Sequence, residues 1–315
     1  MGWDFFFSLL ICFLTFFSIH LLCLIINLIM LNDVGQKIRI ENEPQEVAEI
    51  RDKILSEFEG LEFIEDGHKY FLNGVAYPSV SQITHKFQIP FDQEEQALRY
   101  AEKHGETQQY WLDAWRYNSL CATTTGTLVH SYGESLGWLR NGHPELITED
   151  NKCKYIKSKG WLIPTRKKEE AVLKFYDEFP KNLHFVLAET KVYSNKSEVS
   201  TVKQPFCGTF DLLTYYKDPN DDSKSGLVVM DWKTNKELTK SFSRERGKFL
   251  LEPFSSYYDE PLSMYTLQLS LYTLCLRGIG LDVKGCRIIW LKDDGTYELI
   301  PVKDLSKEPW FKEAF

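Results

Sequence analysis

The chain has no CxxC spacing, no internal repeat, no long low-complexity tract and no excess of positive charge. Its seven cysteines are odd in number and scattered, with Cys12 and Cys23 in the apolar N-terminus. Neither a disulfide framework nor a zinc finger is expected, and the usage fits a reducing compartment. A compact four-cysteine set able to hold an iron–sulfur cluster is also missing. A formal net charge of −8 over 315 residues excludes a protein coated in positive charge. It leaves room for nucleic acid, because a local basic groove can bind a strand while an acidic metal site carries the opposite sign. The length fits one large domain or two small ones, with a sizeable core.

One long hydrophobic run is present. From Phe5 to Leu31 the chain is apolar apart from Ser, Thr, His20 and Asn27, long enough to cross a bilayer as a helix. No basic residue precedes the run, whereas Lys37 and Arg39 follow it. The spacing predicts a transmembrane anchor over residues 1–31, with the rest of the chain in the cytoplasm. A cleaved signal peptide fits less well, for want of a basic start and because the run is too long. Translation from Met30 is the other reading and would give a soluble protein.

Residues 32–60 are polar and mostly acidic, a juxtamembrane linker with a helix expected around Glu46 to Phe58. In HKYFLNGVAYPSVSQIT (68–84), Asn73-Gly74 between apolar–aromatic runs predicts a tight hairpin. Pro78-Ser79 then opens a helix capped by Ser79 or Ser81. Residues 93–140 have helical spacing with many aromatics, a break expected near Thr123 to Gly126, and His130 early in the helix that follows. From Asn151 to Lys174 many lysines, among them Lys167 and Lys168, meet few acids, with Tyr155 and Trp161 between them. Such a run is by default a solvated face. The interleaved aromatics make Lys167, Lys168 and Trp161 candidates for holding a strand by phosphate neutralisation and base stacking.

The second half reads more clearly. HFVLAETKVY (184–193), GTFDLLTYY (208–216) and LVVMDWK (227–233) are strands, the last two antiparallel across the polar turn 217–226. An apolar helix over about 262–277 leads to CRIIWL (286–291) and then TYELIPV (296–302), a hairpin around Asp294-Gly295. The order predicts an α/β fold, a mixed sheet flanked by helices. Residues 61–180 would form the hairpin and helical part of one domain, and 181–315 its core.

Acid-x-lysine pairs are common in this chain: Asp150/Lys152, Asp222/Lys224, Asp282/Lys284 and Glu189/Lys191 join Asp231/Lys233. Among them Asp231/Lys233 alone closes an apolar strand that follows an acid-bearing strand, where Asp211 lies mid-strand. Ionised side chains in apolar strands are expensive unless paired or bound to metal. A hairpin can bring the two carboxylates together, where they would repel without a cation. Mg²⁺ suits such a place, taking one or two carboxylates and leaving room for water and a phosphate oxygen. Lys233, on the same strand face as Asp231, can hold or polarise the attacking water and neutralise charge on phosphorus.

Taken together, Glu189 in AETKVY, Asp211 in GTFDLL, Asp231 and Lys233 in DWK, and Gln268 with Tyr272 in QLSLY resemble the PD-(D/E)XK nuclease superfamily. The pattern is most similar to its RecB-like branch, which includes phage-type exonucleases and the mitochondrial genome maintenance exonuclease. GTLVH, ending at His130, resembles the histidine-bearing helix of that branch, and HKYFLNGVAYPSVSQIT its N-terminal hairpin and helix. The likeness spans roughly residues 66–302 in the expected order. It implies a restriction-endonuclease-like core and a metal-dependent DNA exonuclease of replication, recombination or repair. Asp211 and Asp231 would bind Mg²⁺ or Mn²⁺, helped by the Trp232 backbone carbonyl and by His130. Lys233 would be the catalytic lysine, and Glu189 would orient a metal-bound water or hold Lys233. Gln268 and Tyr272, one helical turn apart, would support the site and contact DNA. The apolar N-terminus departs from the family, whose members are usually soluble.

Plainer readings exist for each residue. Asp231 and Lys233 could be a solvated pair, Asp211 a hydrogen-bonded buried acid, His130 a structural histidine, Glu189 an edge-strand charge, and Gln268 and Tyr272 helix surface and core. Two rival functions follow: a structure-specific or restriction-like endonuclease of the same fold, and an inactive, membrane-tethered nucleic-acid-binding protein.

Overall fold

The computed structural model describes residues 43–64, 67, 69–142, 166–195 and 202–315. The apolar run of 5–31 and the part of the basic stretch that carries Tyr155 and Trp161 lie outside the described residues. Among the described residues no helix is long and apolar enough to cross a membrane. Cys121, Cys207, Cys275 and Cys286 are free thiols.

The N-terminal part begins with helix α1 (Gln45–Glu57), followed by strands β1 (Leu61–Ile64), β2 (Lys69–Leu72) and β3 (Val75–Tyr77). Asn73 and Gly74 both take positive φ (52° and 77°), as a two-residue hairpin turn requires. β1 pairs antiparallel with β2 and was not anticipated, since it buries Leu61 alone and so lacks an alternating pattern. Helix α2 (Val80–His85) opens with a capping box. Ser79 Oγ accepts from the Gln82 N–H at 3.1 Å and Gln82 Oε1 accepts from the Ser79 N–H at 2.9 Å.

Helices α3 (Gln93–His104) and α4 (Gln108–Arg140) form a helical hairpin. The expected break at Thr123 to Gly126 is absent: α4 runs unbroken for 33 residues. Thr and Gly weaken a helix without ending it, and the Thr127 hydroxyl donates back to the Thr123 carbonyl at 3.1 Å. The interruption falls earlier, at Gly105, whose left-handed φ of 73° ends α3.

Helix α5 (Arg166–Asp177) leads into β4 (Leu183–Tyr193), β5 (Cys207–Tyr216) and β6 (Gly226–Lys233). A short helix α6 (Ser241–Glu245), the long helix α7 (Pro261–Gly278), β7 (Val283–Leu291) and β8 (Tyr297–Val302) follow. The five strands form one sheet in the order β4-β5-β6-β7-β8. Its pairs are antiparallel except β6 and β7, which run parallel because α7 crosses over between them. The chain is therefore α/β with a mixed five-stranded sheet, as the pattern of strands predicts.

Helices cover both faces of the sheet. On one, Trp232 meets Phe175 of α5 in an edge contact (5.1 Å between rings). The same indole lies so close to α4 that a Cβ on Gly133 would fall 3.1 Å from it. Lys233 points the other way, its ammonium 4.3 Å from the ring centre of Tyr265 on α7. α7 is apolar nearly all round, with Leu267, Leu269, Leu271, Cys275 and Leu276 fully buried, as befits a helix enclosed by sheet and chain. The first part of the chain is tied to this core: the Arg51 guanidinium donates to the Val186 carbonyl at 2.9 Å.

Candidate active site

The β5–β6 ladder runs from Tyr216↔Gly226 to Leu212↔Met230 and stops. One more step would set Asp211 opposite Asp231. Instead the Trp232 N–H donates to Asp211 Oδ2 at 2.8 Å. A side-chain carboxylate has replaced a backbone carbonyl, and the strands part around it. The N–H and C=O of one strand residue share an edge, so the Trp232 carbonyl faces the same gap.

β4 breaks its regularity at the same level. Its pairing with β5 runs through Ala188↔Leu212 and Thr190↔Phe210 but skips Glu189. Glu189 has φ 44°, left-handed backbone in the middle of a strand. A non-glycine residue there is uncommon, costs about 1–3 kcal/mol and persists only where the surroundings demand it. The kink brings Glu189 to Asp211 and to His130 of α4. His130 Nδ1 lies 3.4 Å from Asp211 Oδ2 and 3.6 Å from Glu189 Oε1. One ligand atom from each of the three can lie within 4.8 Å of the others, a group that could hold a metal ion.

Asp231 stands beside this cluster, fully buried. Its ion-pair partner is the Lys233 ammonium. Among the described residues neither Asp231 oxygen accepts a hydrogen bond of sound geometry, and neither does Glu189 Oε1. Buried carboxylate oxygens without donors are costly. A divalent cation would supply what they lack, and a set dominated by carboxylate oxygens suits Mg²⁺ or Mn²⁺. The residues fit a metal on that ground, with His130 the softest donor.

The site's charges hold one another in unequal states. Burial pushes the Asp231 carboxyl up, the Asp211 charge adds to this, and Lys233 opposes it, leaving Asp231 at about 7. Burial also raises Glu189, against the pull of His130. Asp211 ends below its ordinary value: burial is outweighed by His130, Lys233 and the Trp232 N–H. His130 ends well above its own, because Asp211 and Glu189 overcome its burial. Lys233 is likewise raised, burial giving way to the charges of Asp231 and Asp211.

On α7, the Gln268 amide donates to the Tyr272 hydroxyl at 3.1 Å. Tyr272 is buried, and its hydroxyl is pushed well up by burial and by the charges of Asp231 and Asp211. Its ring packs so tightly on β5 that a Cβ on Gly208 would lie 2.7 Å from it. Tyr265, two turns before Tyr272, donates to Asn235 Oδ1 at 2.7 Å and carries Lys233 on its face.

Asp211, Glu189 and His130 are thus brought together, Asp231 and Lys233 adjoin them, and Gln268 and Tyr272 are bonded to each other. Lys168 requires a correction as a strand contact. Its ammonium is buried, donates to the Leu291 carbonyl at 2.5 Å and pairs with Asp293 at 3.0 Å. It closes the end of β7 and has no charge to spare for a phosphate. Lys167 is exposed and paired with Glu170 at 2.6 Å, and Trp161 lies outside the described residues.

Glu134 escaped sequence reasoning. It is buried, and burial together with the Glu189 charge pushes it up to about 8. Its spacing of four from His130, on the same helix face, was the available signal. The chain matches no protein-family model and no curated protein.

Proposed function

We propose that the chain is a metal-dependent DNA exonuclease of the RecB-like kind, on a restriction-endonuclease-like core. The parting of β5 from β6 carries the reading. Asp211 and Asp231 flank the point where the ladder stops, Glu189 arrives there on a left-handed backbone, and Lys233 closes β6 against Asp231. A fold that needed only stability would continue the ladder and bury apolar side chains there.

Asp211, Asp231 and Glu189, with the Trp232 carbonyl and His130, would hold Mg²⁺ or Mn²⁺. Bound there, the ion polarises a phosphate and makes water a better nucleophile. Lys233 provides positive charge for the oxygen that becomes more negative as phosphorus is attacked, and holds the attacking water. Asp231 keeps Lys233 protonated, and the Tyr265 ring fixes its ammonium. Gln268, half-buried, would meet the strand, while Tyr272, buried and bonded to it, is left to brace the α7 side. Residues 5–31 would tether the enzyme to a membrane, with the nuclease domain on the cytoplasmic face.

A time course on 5′- and 3′-labelled linear DNA and on closed circles, with Mg²⁺, Mn²⁺ or EDTA, tests this. Metal-dependent loss of nucleotides from linear DNA is expected, with circles intact. Asp231→Ala and Lys233→Ala should each lower the rate by about 100-fold or more. Cleaved circles would make the protein an endonuclease of the same fold. DNA binding without hydrolysis under either metal would make it a binding protein.

A further inference from the structure

We infer that the segment between β6 and α7 is a docking strip for single-stranded nucleic acid, with Phe242 stacking an unpaired base and Arg246 and Lys248 taking backbone phosphates. Its place as the substrate guide of this particular site rests on the nuclease reading; strand binding itself does not.

Charge is the first ground. Residues 236–248 carry five basic side chains (Lys236, Lys240, Arg244, Arg246 and Lys248) against two acidic ones, in a chain of net charge −8. Arg244 is spent on Glu260, which it grips at 3.0 and 2.8 Å. Arg246 and Lys248 are exposed, and among the described residues neither forms an ion pair. Both instead lie near the ring of Phe242, at 5.3 and 4.8 Å from its centre. Phe242 itself is 54% exposed. An aromatic ring left in water with two cations beside it matches a nucleotide's two recognisable parts, a flat base and a phosphate.

Order is the second ground. A merely solvated loop would have no reason to be held at several points, and this one is. The Ser243 hydroxyl donates to the Asp259 carbonyl at 2.8 Å, the Asp259 N–H to the Lys248 carbonyl at 2.9 Å, and the Leu262 N–H to the Leu238 carbonyl at 2.8 Å. The Lys240 N–H donates to Glu260 at 3.0 Å, and the rings of Phe249 and Tyr258 stack at 4.8 Å. A surface fixed before binding loses less freedom on binding.

Position is the third. The strip starts three residues after Lys233, at Lys236. Glu260, which anchors Lys240 and Arg244, immediately precedes α7, and Tyr265 five residues later carries the Lys233 ammonium. At 1.5 Å per residue that is about 8 Å along the helix axis. The strip's anchor at Glu260 is therefore within two helical turns of the ring that carries Lys233. Paired bases hide their faces in the stack, so an exposed ring selects single strands.

The test is fluorescence anisotropy of a short labelled single strand and of the matching blunt duplex with the full chain in EDTA, over a salt titration. Phe242→Ala should weaken single-strand binding about five-fold or more, in keeping with the loss of one stacked base. Phe242→Trp should retain it. Arg246→Ser with Lys248→Ser should reduce the slope of log affinity on log salt by about 1.4, two phosphate contacts' worth. Unchanged affinity and slope, equal losses on the duplex, or a Trp variant as weak as Ala would overturn the inference. Melting curves that match the parent exclude misfolding as the cause. Metal-dependent hydrolysis by the parent chain is measured separately. If hydrolysis is absent while binding responds as expected, the nuclease reading falls and the strip stands; hydrolysis with indifferent binding removes the strip alone.

Discussion

Asp211 Oδ2 accepts the backbone N–H of Trp232 at 2.8 Å, across the point where β5 and β6 cease to pair. That bond does two things. It satisfies an N–H that the parted ladder would otherwise orphan, and it helps hold Asp211 ionised despite burial. Asp231, one strand over, is instead pushed up to about 7 by burial and by the Asp211 charge. Two neighbouring acids in unequal states are what a site needs when it must hold a cation and handle a proton.

The first prediction concerns that cation. Mn²⁺ or Mg²⁺ should raise the melting temperature of the chain, by about 2.7 kcal/mol of stability at a hundred times the dissociation constant. Asp211→Asn keeps an acceptor for the Trp232 N–H but loses the charge, and should lose most of the shift. Melting curves with and without metal check this without any substrate. An undiminished shift in Asp211→Asn would place the ion elsewhere.

Metal-free stability should depend on pH through Asp231. Its folded pKa of about 7 lies above the ordinary 3.8. Between those values the folded chain binds more protons at this site than the unfolded one, so this contribution to stability falls as pH rises from about 4 to 7. His130 adds in the same direction at higher pH. Its raised pKa gives stability that is complete below 6.5 and is lost as pH climbs through the folded value. Asp231→Asn should therefore be more stable than the parent above pH 7 in EDTA, while being inactive. Urea melts of both proteins across pH, in EDTA, measure the difference. Equal stability throughout would mean that Asp231 is not raised.

How far the sequence reveals this arrangement depends on the range of each signal. The Asn73-Gly74 turn and the Ser79/Gln82 cap are local chemistry, and both were readable from neighbouring residues. Asp211, Asp231 and Lys233 could be singled out because charges are out of place on apolar strands. The φ of Glu189 left no such trace, since nothing beside a glutamate announces a left-handed backbone. Lys168 looked like one more lysine of a basic run, and only the end of β7, over a hundred residues away, explains its burial. The Thr123–Gly126 stretch of α4 resembled a break in a helix. The glycines that matter lie further along, at Gly133 and Gly137, where side chains of the sheet come close.

That last point gives a third prediction. In an exposed helix Gly→Ala stabilises by up to about 1 kcal/mol. At Gly137 the new Cβ would meet the Tyr176 hydroxyl at 2.5 Å and the Phe185 ring at 2.8 Å. Gly137→Ala should instead destabilise by about 1–3 kcal/mol, as overpacking does. Since α4 also carries His130, two turns earlier, the same substitution should weaken Mn²⁺ binding several-fold. Calorimetric melting and metal titration read the two effects. A stabilised variant with parental metal affinity would show that the helix yields without moving the site.

Glu189 allows the backbone and the carboxylate to be tested separately. Glu189→Ala and Glu189→Gly both remove the carboxylate, so both should lose metal-dependent stabilisation and hydrolysis. They differ in the main chain. At φ 44° alanine keeps the strain of a Cβ in left-handed backbone, about 1 kcal/mol or more, whereas glycine is at ease there. In an ordinary strand glycine would be the worse of the two. Here Glu189→Gly should be the more stable variant, by about 1 kcal/mol in urea denaturation without metal. If Glu189→Ala proves more stable, the strand relaxes once the carboxylate is gone. The kink would then be a consequence of Glu189's attraction to His130, with the scaffold imposing nothing at that position.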